Sequence, residues 1–175
     1  MPHEAIAARR SGAVQQPQIL DLNATVTGIE RTLRRLVGEK IEVVMKLDPG
    51  ARPVTAEAER IEQVLLNLAL DACDGMTEGG VLVVETANVR FDGSNASSDP
   101  GPGATHVMLA VTDTGTSFGR AMVHGLVKRS GGHCRLRRQP GRGTTFCVYL
   151  PAFAAPLART GSVLPPSLER RSVVA

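Results

Sequence analysis

Val107-Met108-Leu109-Ala110-Val111-Thr112-Asp113-Thr114-Gly115 is an apolar run that closes on a carboxylate, a hydroxyl and a glycine. Five consecutive apolar residues bounded by turn-formers read as a buried strand. Asp-Thr-Gly at its end has two readings. Asp and Gly favour turns, so the triplet can simply reverse the chain. A carboxylate there can also accept a hydrogen bond from an exocyclic amine, and a glycine lets a flat ring approach the backbone. The triplet alone does not decide between them.

Toward the N-terminus, Val81–Val84 predicts a second short buried strand, separated from the first by a Gly-, Ser-, Asp- and Pro-rich loop from Phe91 to Gly103. Before it stands the strongest helical pattern in the chain. Thr55 is a candidate N-cap, and Ile61, Val64, Leu65, Leu68, Ala72 and Met76 recur on one face until Gly79-Gly80. Ile41–Leu47 alternates as a strand closed by Asp48-Pro49-Gly50. From Leu22, the positions Val26, Ile29, Leu33 and Leu36 with Val37 read as the buried stripe of a first helix stopped by Gly38.

Toward the C-terminus, Met122, Val123, Leu126 and Val127 suggest a helix ending at Gly131-Gly132. Residues 133–138 and 144–150 then flank the turn Gln139–Gly143 as a hairpin. The order of elements predicts an α+β fold, a two-layer α/β sandwich with a mixed sheet of about five strands and about three helices on one face. Residues 1–20 read as a connector, 21–151 as the folded domain, and 152–175 as a disordered basic tail.

Composition narrows the function classes. Aromatic residues are 3% of the 175 with no Trp, so a base-stacking surface for single-stranded nucleic acid is poorly supplied. Charge is divided: residues 1–119 sum to −6 and residues 120–175 to +9. A basic half of this kind serves a solvated surface, a polyphosphate or partner site, or nucleic acid, the last being the least supported here. Cys73, Cys134 and Cys147 include no CxxC pair and no zinc-ligand spacing to histidine, so they read as small hydrophobes in a reducing compartment. No signal peptide or membrane-crossing run is present, which gives an expected cytoplasmic location.

Asn67, Asp71 and Asp74 fall at i, i+4 and i+7 of the second helix and share a stripe. Such a stripe is ordinarily a solvated face. The chemical alternative is a magnesium site, since hard cations reach protein through one or two oxygen ligands plus substrate phosphates.

The order of these features carries more than any one of them. Ile61–Ala69 resembles the N box, Val111–Gly115 the G1 box, and Val127–His133 with Gly141-Arg142-Gly143-Thr144-Thr145-Phe146 the closing segments of the Bergerat-type ATPase fold, most closely that of bacterial sensor histidine kinases. The resemblance covers about residues 15–151 and implies a domain of a two-component signalling protein that binds ATP or ADP with Mg²⁺. It implies that Asp113 bonds the adenine amino group, that Thr144 assists through a hydroxyl or a water, and that Gly115 lets the base lie close. Asn67 would touch the phosphates or the metal shell, Asp71 would hold the metal-ligand position, and Asp74 would close the N box beside the adenine.

Two departures bear on activity. Asp71 stands where the family has Asn, and Cys73 where it has a basic residue. Phe118–Val127 joins the G1 box directly to the following helix, so the nucleotide-covering lid and its phosphate-gripping glycines are missing, leaving Gly119 and Arg120 as substitutes. The resemblance therefore implies a phosphotransferase family member with impaired transfer, or a pseudo-ATPase that docks a response regulator or kinase partner. His3, His106, His124 and His133 read as structural, so no catalytic residue is assigned, and the phosphoacceptor histidine would lie on another segment or protein.

Overall fold

The computed structural model describes residues 17–91, 105–115, 123–139, 141 and 143–154. Its elements run β1 (Gln18–Leu20), α1 (Leu22–Val37), β2 (Ile41–Leu47), β3 (Val54–Ala56), α2 (Ala58–Gly75), β4 (Gly80–Arg90), β5 (Thr105–Asp113), α3 (Val123–Arg129), β6 (His133–Gln139) and β7 (Gly143–Pro151).

The five longer strands form one sheet in the order β2-β4-β5-β7-β6. β2 and β4 are parallel and every other pair is antiparallel. Parallel neighbours need a crossover, and α2 supplies it. Val43, Leu82, Val84, Leu109, Val111, Phe146, Val148 and Leu150 face the helices and pack with Val26 and Leu33 of α1, Ile61, Leu65 and Leu68 of α2, and Val123 and Val127 of α3. The expected two-layer sandwich is therefore the observed one, and its core is aliphatic as the composition requires.

Local chemistry sets the helix ends. The Asp21 carboxylate accepts the Ala24 N–H at 3.1 Å, a cap worth about 1 kcal/mol. Gly38, at φ +76°, ends α1 with its N–H on the Arg34 carbonyl.

Three local expectations change. Thr55 does not open α2: Val54–Ala56 is a strand that pairs antiparallel with Gln18–Leu20, and the helix begins at Ala58. Val54 and Ala56 are buried while Thr55 is exposed, so two-residue alternation overrides the capping preference once a distant strand offers partners. For the same reason residues 18–20, expected within the connector, are paired. β4 runs to Arg90 rather than stopping at Val84, because β5 continues to pair with it as far as Thr105. Beyond Pro151, Ala152 bridges Val54, and the Phe153 N–H donates to the Pro53 carbonyl at 2.7 Å. Residues 1–16 of the expected connector and 155–175 of the expected tail lie outside the described residues.

Candidate functional site

Asp113, the last residue of β5, is fully buried. Its Oδ1 accepts the Gly115 N–H at 2.8 Å, while its Oδ2 is buried with no partner among the described residues. Burial holds this carboxyl above the usual carboxylate range, and hydrogen bonds from the Gly115 and Asp113 backbone N–H groups offset only part of that. An orphaned buried carboxylate oxygen costs more than the roughly 1–3 kcal/mol of a neutral group. It is an acceptor that a donor from outside the chain can satisfy.

Thr144 is the register partner of Asp113 on β7 and is itself 3% exposed. Directly paired residues share a face, so its hydroxyl and the Asp113 carboxylate flank one spot at the end of the sheet.

Glycines bring the backbone close around that spot. A Cβ on Gly115 would lie 2.5 Å from the Gly75 carbonyl oxygen and 3.0 Å from Asp113 Oδ1. A Cβ on Gly143, at φ +92°, would collide with the Asp113 carbonyl. Between them Thr114 Oγ1 accepts the Val81 N–H at 3.1 Å and thereby ties the start of β4 to the end of β5. The C-terminal turn of α2 is thus seated on the strand end that carries Asp113.

α2 presents Asn67 and Asp71 half-buried and Asp74 exposed. Asp71 Oδ2 is the second buried oxygen with no partner among the described residues. Burial raises the Asp71 carboxyl above its ordinary range, and the nearby Asp74 charge raises it further. Among the described residues no group of three or more His, Cys, Asp or Glu is placed to hold a metal.

The structure brings Asp113, Gly115 and Thr144 together at the end of the sheet and places Asn67, Asp71 and Asp74 along the adjoining helix. Gly119 and Arg120, with the rest of the segment expected to replace the lid, lie outside the described residues, as does His3. His106 is buried edge-on against Phe91, and His124 contacts Cys134 with 3.0 Å between Nδ1 and Sγ. Sequence reasoning missed Gly75, Gly143 and Thr114 as builders of the site. Glycines immediately after Asp74 and immediately before Thr144 were the available signal.

Solved structures share this fold. The ATP-binding domain of PrrB from Mycobacterium tuberculosis aligns with a TM-score of 0.59 at 16% identity, covering 80% of this chain and 100% of that one. Full-length ShkA in complex with AMPPNP aligns with a TM-score of 0.61 at 21% identity, covering 83% of this chain and 34% of that one. The helix-backed mixed sheet is the fold that these two structures share with the chain. The chain belongs to the Histidine kinase-, DNA gyrase B-, and HSP90-like ATPase family, whose pattern matches residues 56–154. Sensor kinase CckA of Brucella abortus is 33% identical over 163 residues, and sensor histidine kinase ZraS of Klebsiella oxytoca 30% over 144. These matches cover 78% and 77% of this chain but only 17% and 31% of the two relatives. Among the described residues no helix is long and apolar enough to cross a membrane.

Proposed function

We propose that this domain holds an adenine nucleotide through its base and serves a sensor-histidine-kinase-type phosphorelay in which its own transfer of phosphate is weak. The supporting observation is the Asp113 carboxylate, buried, half satisfied by Gly115, and open on Oδ2 beside Thr144. An adenine amino group would supply the missing donor, whereas the side of Gly115 where a side chain would stand is taken by the Gly75 carbonyl and not by the ring. ATP and ADP share that part of the molecule.

Asn67 and Asp71 would hold magnesium and the phosphate chain, and the metal would neutralise phosphate charge there. Without it, a carboxylate about 5 Å from a phosphate charge costs about 3 kcal/mol at an effective dielectric near 20. Nucleotide binding should therefore depend steeply on Mg²⁺. Phosphoryl transfer relies almost entirely on positioning and charge stabilisation. A sequence that passes from Gly115 to Val123 through seven residues offers little backbone to grip a γ-phosphate. The phosphoacceptor histidine would lie on another segment or partner, and a response regulator would follow in the relay.

Thermal unfolding with ATP, ADP and Mg²⁺ tests the reading. Nucleotide at a hundredfold its dissociation constant should add about 2.7 kcal/mol of stability. No shift at millimolar nucleotide would replace it with a docking module that recognises a kinase or response regulator without nucleotide.

A further inference from the structure

Asp113 of β5, Thr144 of β7 and Arg138 of β6 stand in one row across the sheet, each the register partner of the next. Register partners share a face, so Arg138 projects from the helix-covered side, as does Cys134 four residues earlier, which packs against the main core. Arg137 is one residue away and belongs to the opposite face. Two strand spacings of about 4.8 Å put Arg138 roughly 10 Å from Asp113. That distance is comparable to the reach of a nucleotide from its base to its phosphates.

His124, in the first turn of α3, contacts Cys134 and lies edge-on to Phe146 at 6.0 Å, so α3 starts over the body of the β6–β7 pair, two to four residues from Arg138. The carboxylates described around the site are Asp71, Asp74 and Asp113, and an incoming polyphosphate adds more negative charge. A cation in the row of the base-binding pair is placed to offset it. The planar guanidinium also matches phosphate oxygens in a bidentate way that an ammonium does not.

We propose that Arg138 pairs with the phosphate chain of the nucleotide whose base Asp113 and Thr144 hold. This rests on the base-site reading above. A basic residue on an edge strand also guards the edge against pairing with other chains, a role that Arg137 serves equally well. That makes Arg137 the control.

Titration calorimetry of the whole chain with ADP and with adenosine tests the assignment, using wild type and the Arg138→Ala, Arg138→Lys, Arg137→Ala and Asp113→Asn variants. Arg138→Ala should weaken ADP fivefold or more and leave adenosine within twofold, Arg138→Lys should recover part of the loss, and Arg137→Ala should change neither ligand more than twofold. A smaller ADP loss, a parallel adenosine loss, or an equal loss in Arg137→Ala overturns the Arg138 role. Should wild type bind both ligands and Asp113→Asn neither, such a result removes Arg138 alone. Wild type that binds neither ligand removes the base site and Arg138 together. Melting temperatures without ligand confirm that each variant folds.

Discussion

Gly115 and Gly75 meet backbone to backbone: a Cβ on Gly115 would lie 2.5 Å from the Gly75 carbonyl oxygen and 2.7 Å from its carbonyl carbon. The contact joins the last turn of α2, which carries Asp71 and Asp74, to the strand end that carries Asp113. The two halves of the candidate site are thus held in register by two residues with no side chains.

Gly115→Ala should therefore cost about 1–3 kcal/mol of stability, the range for forcing a methyl into a packed contact. Because α2 must shift away from β5 to admit it, nucleotide affinity should fall as well. Urea denaturation and ADP titration of the variant check both, and a variant as stable as wild type would show that the contact yields freely.

The Asp113 carboxyl is held upward by burial. The folded state then binds its proton more tightly than the unfolded chain does, so this group's contribution to stability declines as pH rises through the window between its unfolded and folded values. Asp113→Asn should match wild type in stability at acid pH and exceed it at neutral pH. It should also lose most adenosine binding, since hydrogen bonds to charged groups carry about 1.5–3 kcal/mol. Asp71 titrates in the same sense, so the single variant flattens the pH profile only in part. Denaturation between about pH 4 and 7 measures this.

Asp71→Asn removes the charge whose Oδ2 is orphaned on α2. Nucleotide binding without Mg²⁺ should strengthen, by up to about 3 kcal/mol in the estimate at a dielectric of 20. The dependence on Mg²⁺ should flatten correspondingly. Calorimetry with ADP, with and without Mg²⁺, gives the comparison. An unchanged Mg²⁺ dependence would place the metal elsewhere.

The sandwich was legible because its signals are local and periodic: the Leu22 to Val37 stripe, the Ile61 to Ala72 stripe and the apolar run ending at Asp113 each state their own secondary structure. The β1–β3 pair was not legible. Its strands are three residues each and separated in sequence, and Thr55 suits a helix cap as well as a strand. The candidate site followed the same division. By residue type and spacing alone Asp113 also reads as a turn and Asn67 with Asp71 as a solvated face, and only the order of motifs singles them out. Gly75 and Gly143 act through what they lack, and Arg138 acquires meaning only through the β6–β7 register, which a sequence states only after the turn has been closed.

The proposed site is lopsided: it would recognise the base and not the γ-phosphate. Calorimetric titration of the domain with ADP and ATP, each with saturating Mg²⁺, tests this most directly. The two affinities should lie within tenfold of each other, and both should collapse in Asp113→Asn. An ATP preference of tenfold or more, about 1.4 kcal/mol, or binding that survives Asp113→Asn, would contradict it.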